Sequence, residues 1–125
     1  MRILLDTHVA LWWMFDDRRL KPHLRDTIVD RSNSIYFSPI SVAEIAIKIS
    51  LDKLFAPREM LLLLEEAGFT ELPLSARHSE ALIPLPWHHR DPFDRLLIAQ
   101  AQVEKLALAT ADRAFAAYDV ELLVN

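Results

Sequence analysis

The strongest constraint on the fold is a set of short, unbroken apolar runs separated by segments of helical length. Arg2–Leu5 (ending at Asp6), Ile35-Tyr36-Phe37 and Leu106–Ala109 are too short for buried helices. None of them alternates polar with apolar residues, as a strand with one wet face would. Continuous apolar strands are covered on both faces, which in practice means a parallel sheet between helices. The intervening segments suit that reading. Helices are expected at Val9–Phe15, Pro22–Arg31, Val42–Leu51, Arg58–Ala67 (opened by Pro57 and stopped by Gly68), Ala76–Ile83, Phe93–Glu104 and, briefly, Arg113–Tyr118. Further strands are expected at Phe69–Leu74 and Val120–Val124. The sum is a three-layer α/β/α arrangement around a central parallel sheet of four or five strands. At 125 residues, residues 1–125 are expected to form one domain able to bury a core without staples.

Composition removes several kinds of chemistry. With a single glycine, Gly68, the chain has no glycine-rich phosphate loop. With no cysteine it has no disulfide, thiolate zinc site or cysteine nucleophile, which is compatible with the cytosol. No run reaches the roughly 18 apolar residues of a membrane span. MRILLDTHVALWW interrupts its apolar run with Asp6 and His8, so a secretory signal is not expected and a cytoplasmic location is. A net charge of −4 argues against broad electrostatic attraction to nucleic acid. It leaves room for a nuclease, because acids gathered in a metal site add to that sum and are neutralised by the ions.

In parallel α/β sheets, sites form outside the carboxyl ends of the strands, and acids fall there repeatedly. Each also has a local explanation. Asp6, ending the first strand, reads alone as a helix cap or turn residue. Ser41-Val42-Ala43-Glu44 reads as a capping box in which Glu44 reaches back to the Ser41 backbone. Asp91 before Pro92 looks like an N-cap, which makes Asp94 the third helical residue, favoured by the helix dipole. Asp112 follows Thr110 after a strand and again reads as a cap. Local capping does not explain why Asp6, Glu44, Asp94 and Asp112 should share one edge of one sheet. Converging carboxylates repel unless a cation is present. Mg²⁺ and Mn²⁺ prefer such oxygen donors, and a metal-activated water can cleave a phosphodiester.

ILLDTHV, SPISVAEIAIK, RDPFDRLLIAQA and LALATAD followed by AFAAYDV together resemble the PIN-domain ribonucleases, and among them the VapC-type toxins of toxin–antitoxin pairs. The four motifs run in order from near the first residue to near the last. The resemblance implies a PIN-like fold and places the family's acidic cluster on Asp6, Glu44, Asp94 and Asp112 as metal and catalytic residues. Thr7 and Thr110 fall on hydroxyl positions beside the acids. Asp91 is an extra acid, better read as the cap. What the family brings with it is Mg²⁺- or Mn²⁺-dependent endoribonuclease activity on structured RNA such as tRNA or rRNA, inhibition by a cognate antitoxin, and a homodimer. On this reading Asp6, Asp94 and Asp112 hold one metal, and Glu44 completes the site or orients the attacking water.

Other features carry two readings. His88-His89-Arg90 reads as a solvated loop or, with Arg95 and Lys48, as a contact for RNA phosphates; adjacent histidines lack the spacing of a zinc pair. Residues Trp12 to Phe15 cannot all face the core of one helix, so some are expected to meet a partner, as are some of Met60–Leu64. Competing assignments lack residues they need. A receiver domain wants an acidic pair after the first strand, and a haloacid-dehalogenase-type phosphatase wants an acid where His8 stands. A non-catalytic binding module whose acids are all caps remains the alternative.

Overall fold

Each apolar run becomes a strand. The computed structural model describes residues 1–56 and 59–125. In chain order it contains β1 (Arg2–Leu5), α1 (Thr7–Met14), α2 (Pro22–Val29), β2 (Ser34–Phe37), α3 (Pro39–Ser50) and α4 (Met60–Glu66). It continues with β3 (Thr70–Glu71), α5 (Ala76–Glu80), α6 (Pro92–Glu104), β4 (Ala107–Thr110), a 3₁₀ turn (Arg113–Ala117) and β5 (Leu122–Val124). The five strands form one parallel sheet in the order β3-β2-β1-β4-β5.

β1 lies at the centre, with Ile3 paired to Ile35 of β2 on one side and Ala107 of β4 on the other. Successive side chains on a strand point to opposite faces. Ile3 and Leu5 accordingly enter a core shared with Val9, Leu24, Phe37 and Leu64. Leu4, between them, enters a second core with Leu97, Ile98 and Leu108. All three β1 residues are fully buried, so both faces demand apolar residues and the run is continuous. Helices α1, α2 and α4 thus cover one face, while α6 and the 3₁₀ turn cover the other.

Three elements differ from expectation by three residues or more at one end, for local reasons. Helix α3 begins at Pro39, three residues before the predicted start at Val42. Ser38 is its cap, accepting from the Ile40 N–H at 3.0 Å, and proline occupies the first helical position, where its missing N–H costs nothing. Glu44 therefore sits in the second turn and closes no capping box. The Phe69–Leu74 strand contracts to Thr70–Glu71, because β3 is an edge strand and Pro73 offers no ladder donor. Helix α5 stops at Glu80, short of Ile83. It owes its start to a capping box that sequence reading missed, in which Ser75 and buried His78 exchange bonds. The predicted start of the fourth helix, at Pro57 and Arg58, lies outside the described residues.

Candidate metal centre

The order of the sheet places the site. From β1 the chain builds outward through β2 and β3, then crosses back to β4 on the other side of β1 and continues to β5. The strand order thus reverses between β1 and β4, and a crevice opens where the loops leaving those strands part in opposite directions. Asp6 immediately follows β1; Thr110 ends β4 and Asp112 follows it. A cavity of about 450 Å³ lies there, lined by Asp6, Glu44, Asp91, Asp94 and Asp112 together with His8, Trp12 and Lys48. A larger cavity of about 580 Å³, around Lys105, Asp119 and Glu121, lies at the amino end of β4, away from these acids.

The helix-cap and site readings hold simultaneously. Asp6 Oδ1 accepts from the Val9 N–H at 2.8 Å and caps α1. Asp112 Oδ1 accepts from the Ala114 N–H at 2.9 Å and caps the 3₁₀ turn, while its Oδ2 stands 3.1 Å from His89 Nε2. Asp91 caps α6 through Oδ1, which accepts from the N–H groups of Phe93 at 2.8 Å and Asp94 at 3.2 Å. That cap fixes the first turn of α6, and Asp94 at its third position reaches the cavity. Glu44, on the second turn of α3, is buried; its Oε2 accepts from Lys48 Nζ at 3.0 Å. Its Oε1 is buried without a hydrogen-bond partner among the described residues.

Crowding raises proton affinity in this cavity. Burial pushes the Asp94 carboxyl up to about 7, and the negative charges of Asp91, Glu44 and Asp6 add to the rise, with His89 opposing it. The Asp6 carboxyl is also raised, first by burial and slightly by Asp112, against the bonds from Thr110 and the Val9 N–H and the charge of His8. Repelling carboxylates and an unpartnered buried carboxylate oxygen form a donor set that a hard divalent cation relieves. The residues present fit such an ion. The tightest constellation is His89, Asp94 and Asp112, one ligand atom of each lying within 4.8 Å of the others.

The remaining residues divide sharply. Thr7 is buried and donates to Ser41 Oγ at 3.1 Å, tying the start of α1 to α3. The Thr110 hydroxyl is fully buried and accepts from the Asp112 N–H at 3.0 Å; its proximity also lowers the proton affinity of the Asp6 carboxyl. Lys48 lines the cavity in its pair with Glu44. Arg95 is a correction. Its guanidinium is buried and donates to the carbonyls of Leu85 at 3.1 Å, Pro86 at 2.8 Å and His89 at 3.3 Å, with the Trp87 ring 3.7 Å away. It holds the loop before α6 and is not free to meet RNA. The adjacent histidines part company: His88 is exposed against Tyr118, whereas His89 turns inward to Asp112. Arg90 is exposed beside Trp87.

Sequence reading missed Ser38 and Gln100. Gln100, fully buried on α6, accepts from Ser38 Oγ at 2.6 Å and donates to the Leu72 carbonyl at 3.2 Å. This bridge sets α6 against the end of β2 and the start of α3, and so fixes Asp94 relative to Glu44. A glutamine in the otherwise apolar stretch LLIAQA was the available signal, since a buried amide must find partners.

The family model described as PIN domain matches residues 3–121 of the chain. No curated protein matches it. Among solved structures, VapBC2 from Rickettsia felis, bound to a DNA fragment from its promoter, aligns with a TM-score of 0.71 at 15% identity, covering 99% of this chain and 98% of that one. DNA-bound VapBC from Salmonella typhimurium aligns with a TM-score of 0.68 at 17% identity, covering 99% and 98%. VapBC-5 from Mycobacterium tuberculosis, a member of the VapBC family of toxin–antitoxin systems, aligns with a TM-score of 0.61 at 22% identity, again covering 99% and 98%. At these identities the likeness is one of fold.

Proposed function

The chain belongs to the PIN domain family, and on that premise we propose that it is a Mg²⁺- or Mn²⁺-dependent endoribonuclease, the toxin of a toxin–antitoxin pair. One observation carries the reading. Four acids from four different elements, Asp6, Glu44, Asp94 and Asp112, line one cavity at the switch point of the sheet, with a carboxylate oxygen of Glu44 buried and unpartnered among the described residues. Asp6, Asp94 and Asp112 would hold the metal, and Glu44 would complete the site. What the ion supplies when bound is a Lewis acid for activating water and neutralising charge on a phosphodiester. The chain's own contribution is placement. The caps at Asp6, Asp91 and Asp112 fix helix starts around the crevice, Thr110 holds the Asp112 backbone, and Lys48 pairs with Glu44 in the cavity. Exposed His88 and Arg90 are available to RNA phosphates.

We place the activity in the cytoplasm on structured RNA and read residues 1–125 as one PIN domain. The antitoxin is supported by the fold shared with VapBC complexes and by exposed apolar side chains. Ile47, Leu51, Phe55, Leu61 and Leu62 are each 46–91% exposed on or beside α3 and α4, an interaction surface for an antitoxin or a second copy of the chain. Among the described residues, no helix is long and apolar enough to cross a membrane.

The test is to map RNA ends after brief induction of wild type and of D6N, with the purified proteins assayed in parallel with and without Mn²⁺. New ends are expected with wild type and not with D6N, and cleavage should stop on chelation. Undiminished metal-dependent cleavage by D6N would overturn the assignment. A pure binding module would take up no Mn²⁺ that depends on Asp6 and Asp94.

A further inference from the structure

We propose that His89 is a nitrogen ligand of the divalent ion held by Asp94 and Asp112, and that the site consequently takes Mn²⁺ in preference to Mg²⁺. This rests on the metal-dependent reading above and adds to it a donor that is not an oxygen. The His89 ring is built into the site. It is 11% exposed, edge-on to Phe115 at 4.8 Å and to Tyr118 at 5.8 Å. Both backbone groups of the residue are also anchored: its N–H donates to the Tyr118 hydroxyl at 2.7 Å and its carbonyl accepts from Arg95 at 3.3 Å. A residue held at ring, N–H and carbonyl is not a loop side chain waiting for solvent. Arg95 explains the rigidity, because among the described residues no carboxylate pairs with this buried cation and its donors go to the loop carbonyls.

The ring nitrogen and the Asp94 and Asp112 oxygens lie within 4.8 Å of one another, close enough for small side-chain rotations to bring all three to one ion. The buried, unpartnered Oε1 of Glu44, which lines the cavity with Asp94 and Asp112, points independently to a cation there. Nε2 faces Asp112, and among the described residues no bond engages Nδ1. The neutral ring can therefore carry its proton on Nδ1 and present the Nε2 lone pair. Mg²⁺ is a hard ion that strongly prefers oxygen, whereas an imidazole donor moves affinity up the Irving–Williams order, from Mg²⁺ towards Mn²⁺ and beyond.

The deciding experiment is pulsed electron paramagnetic resonance of Mn²⁺ bound to the full chain, with histidine nitrogen labelled as ¹⁵N. It is paired with calorimetric titration of Mn²⁺ and Mg²⁺ into wild type, H89Q and D94N, each checked for folding by circular dichroism. Expected are a histidine-nitrogen coupling in wild type that H89Q lacks, and an Mn²⁺ affinity about tenfold or more weaker in H89Q, with Mg²⁺ far less affected. No nitrogen coupling in wild type, or a coupling that survives in H89Q, overturns the inference. The wild-type spectrum decides even if H89Q fails to fold. The two readings fail differently. Binding of both ions that depends on Asp94 but shows no nitrogen coupling leaves the metal centre standing without His89, whereas a wild type that binds neither ion removes both.

Discussion

Replacing Asp94 by Asn should stabilise the metal-free protein while removing its response to metal. The carboxyl is pushed from 3.8 to about 7, first by burial and then by Asp91 and Glu44. At about 1.4 kcal/mol per pH unit, an unscreened shift of that size would penalise the ionised native state by about 4 kcal/mol. Asp94 is only half buried, so solvent screening leaves about 1–2 kcal/mol. Asparagine keeps the shape without the charge and should recover that amount, about 3–8 °C in Tm for a chain of this length. The dependence on pH identifies the cause. Between about pH 4 and 7 the folded protein retains a proton on Asp94 that the unfolded chain has lost. Wild-type stability from this group is therefore full below about pH 4 and declines as pH rises through 7. The gain in D94N should be near zero at pH 4 and complete at pH 8, measured by urea or thermal unfolding with chelator present. Adding Mn²⁺ should reverse the ranking at pH 8, since an ion that binds the native state at 100 times its Kd adds about 2.7 kcal/mol and D94N loses most of it. A D94N protein less stable than wild type in chelator at pH 8, or equally stabilised at pH 4 and 8, would refute the electrostatic reasoning.

Other outcomes follow from particular contacts. Gln100→Leu should cost about 2–3 kcal/mol in urea unfolding, because Ser38 and the Leu72 carbonyl lose a buried partner. It should also weaken Mn²⁺ binding by displacing α6 relative to α3. Arg95→Met should destabilise by about 2–4 kcal/mol, leaving three loop carbonyls without their donor, and amide exchange in residues 85–90 should accelerate. Leu108→Ala, at a fully buried position in β4, should cost about 3 kcal/mol through lost burial and the cavity left behind, with metal affinity unchanged. L61E and L62E should leave the thermal transition within about 0.5 kcal/mol yet abolish capture of the antitoxin in a co-expression pull-down.

The sequence by itself determined the architecture. Ile3–Leu5 and Leu106–Ala109 could be read as strands covered on both faces because successive side chains in each must enter different cores, leaving no position for a polar residue. It also located Asp6, Asp91, Asp94 and Asp112, since caps at helix starts are local chemistry, written within four residues of the group they satisfy. Local reading failed where two local signals competed. Ser41-Val42-Ala43-Glu44 resembles a capping box, but Ser38-Pro39 starts the helix first, and that three-residue difference moves Glu44 from a cap into the cavity. The tertiary structure alone decided which residues share a space. Two adjacent histidines take different roles because Phe115, Tyr118 and Arg95, each from elsewhere in the chain, hold His89 against Asp112 and leave His88 in solvent. Arg95 passes from a candidate RNA contact to a buried clamp for the same reason. Burial and partner choice are properties of surfaces brought together by the whole fold, and no window of neighbouring residues contains them.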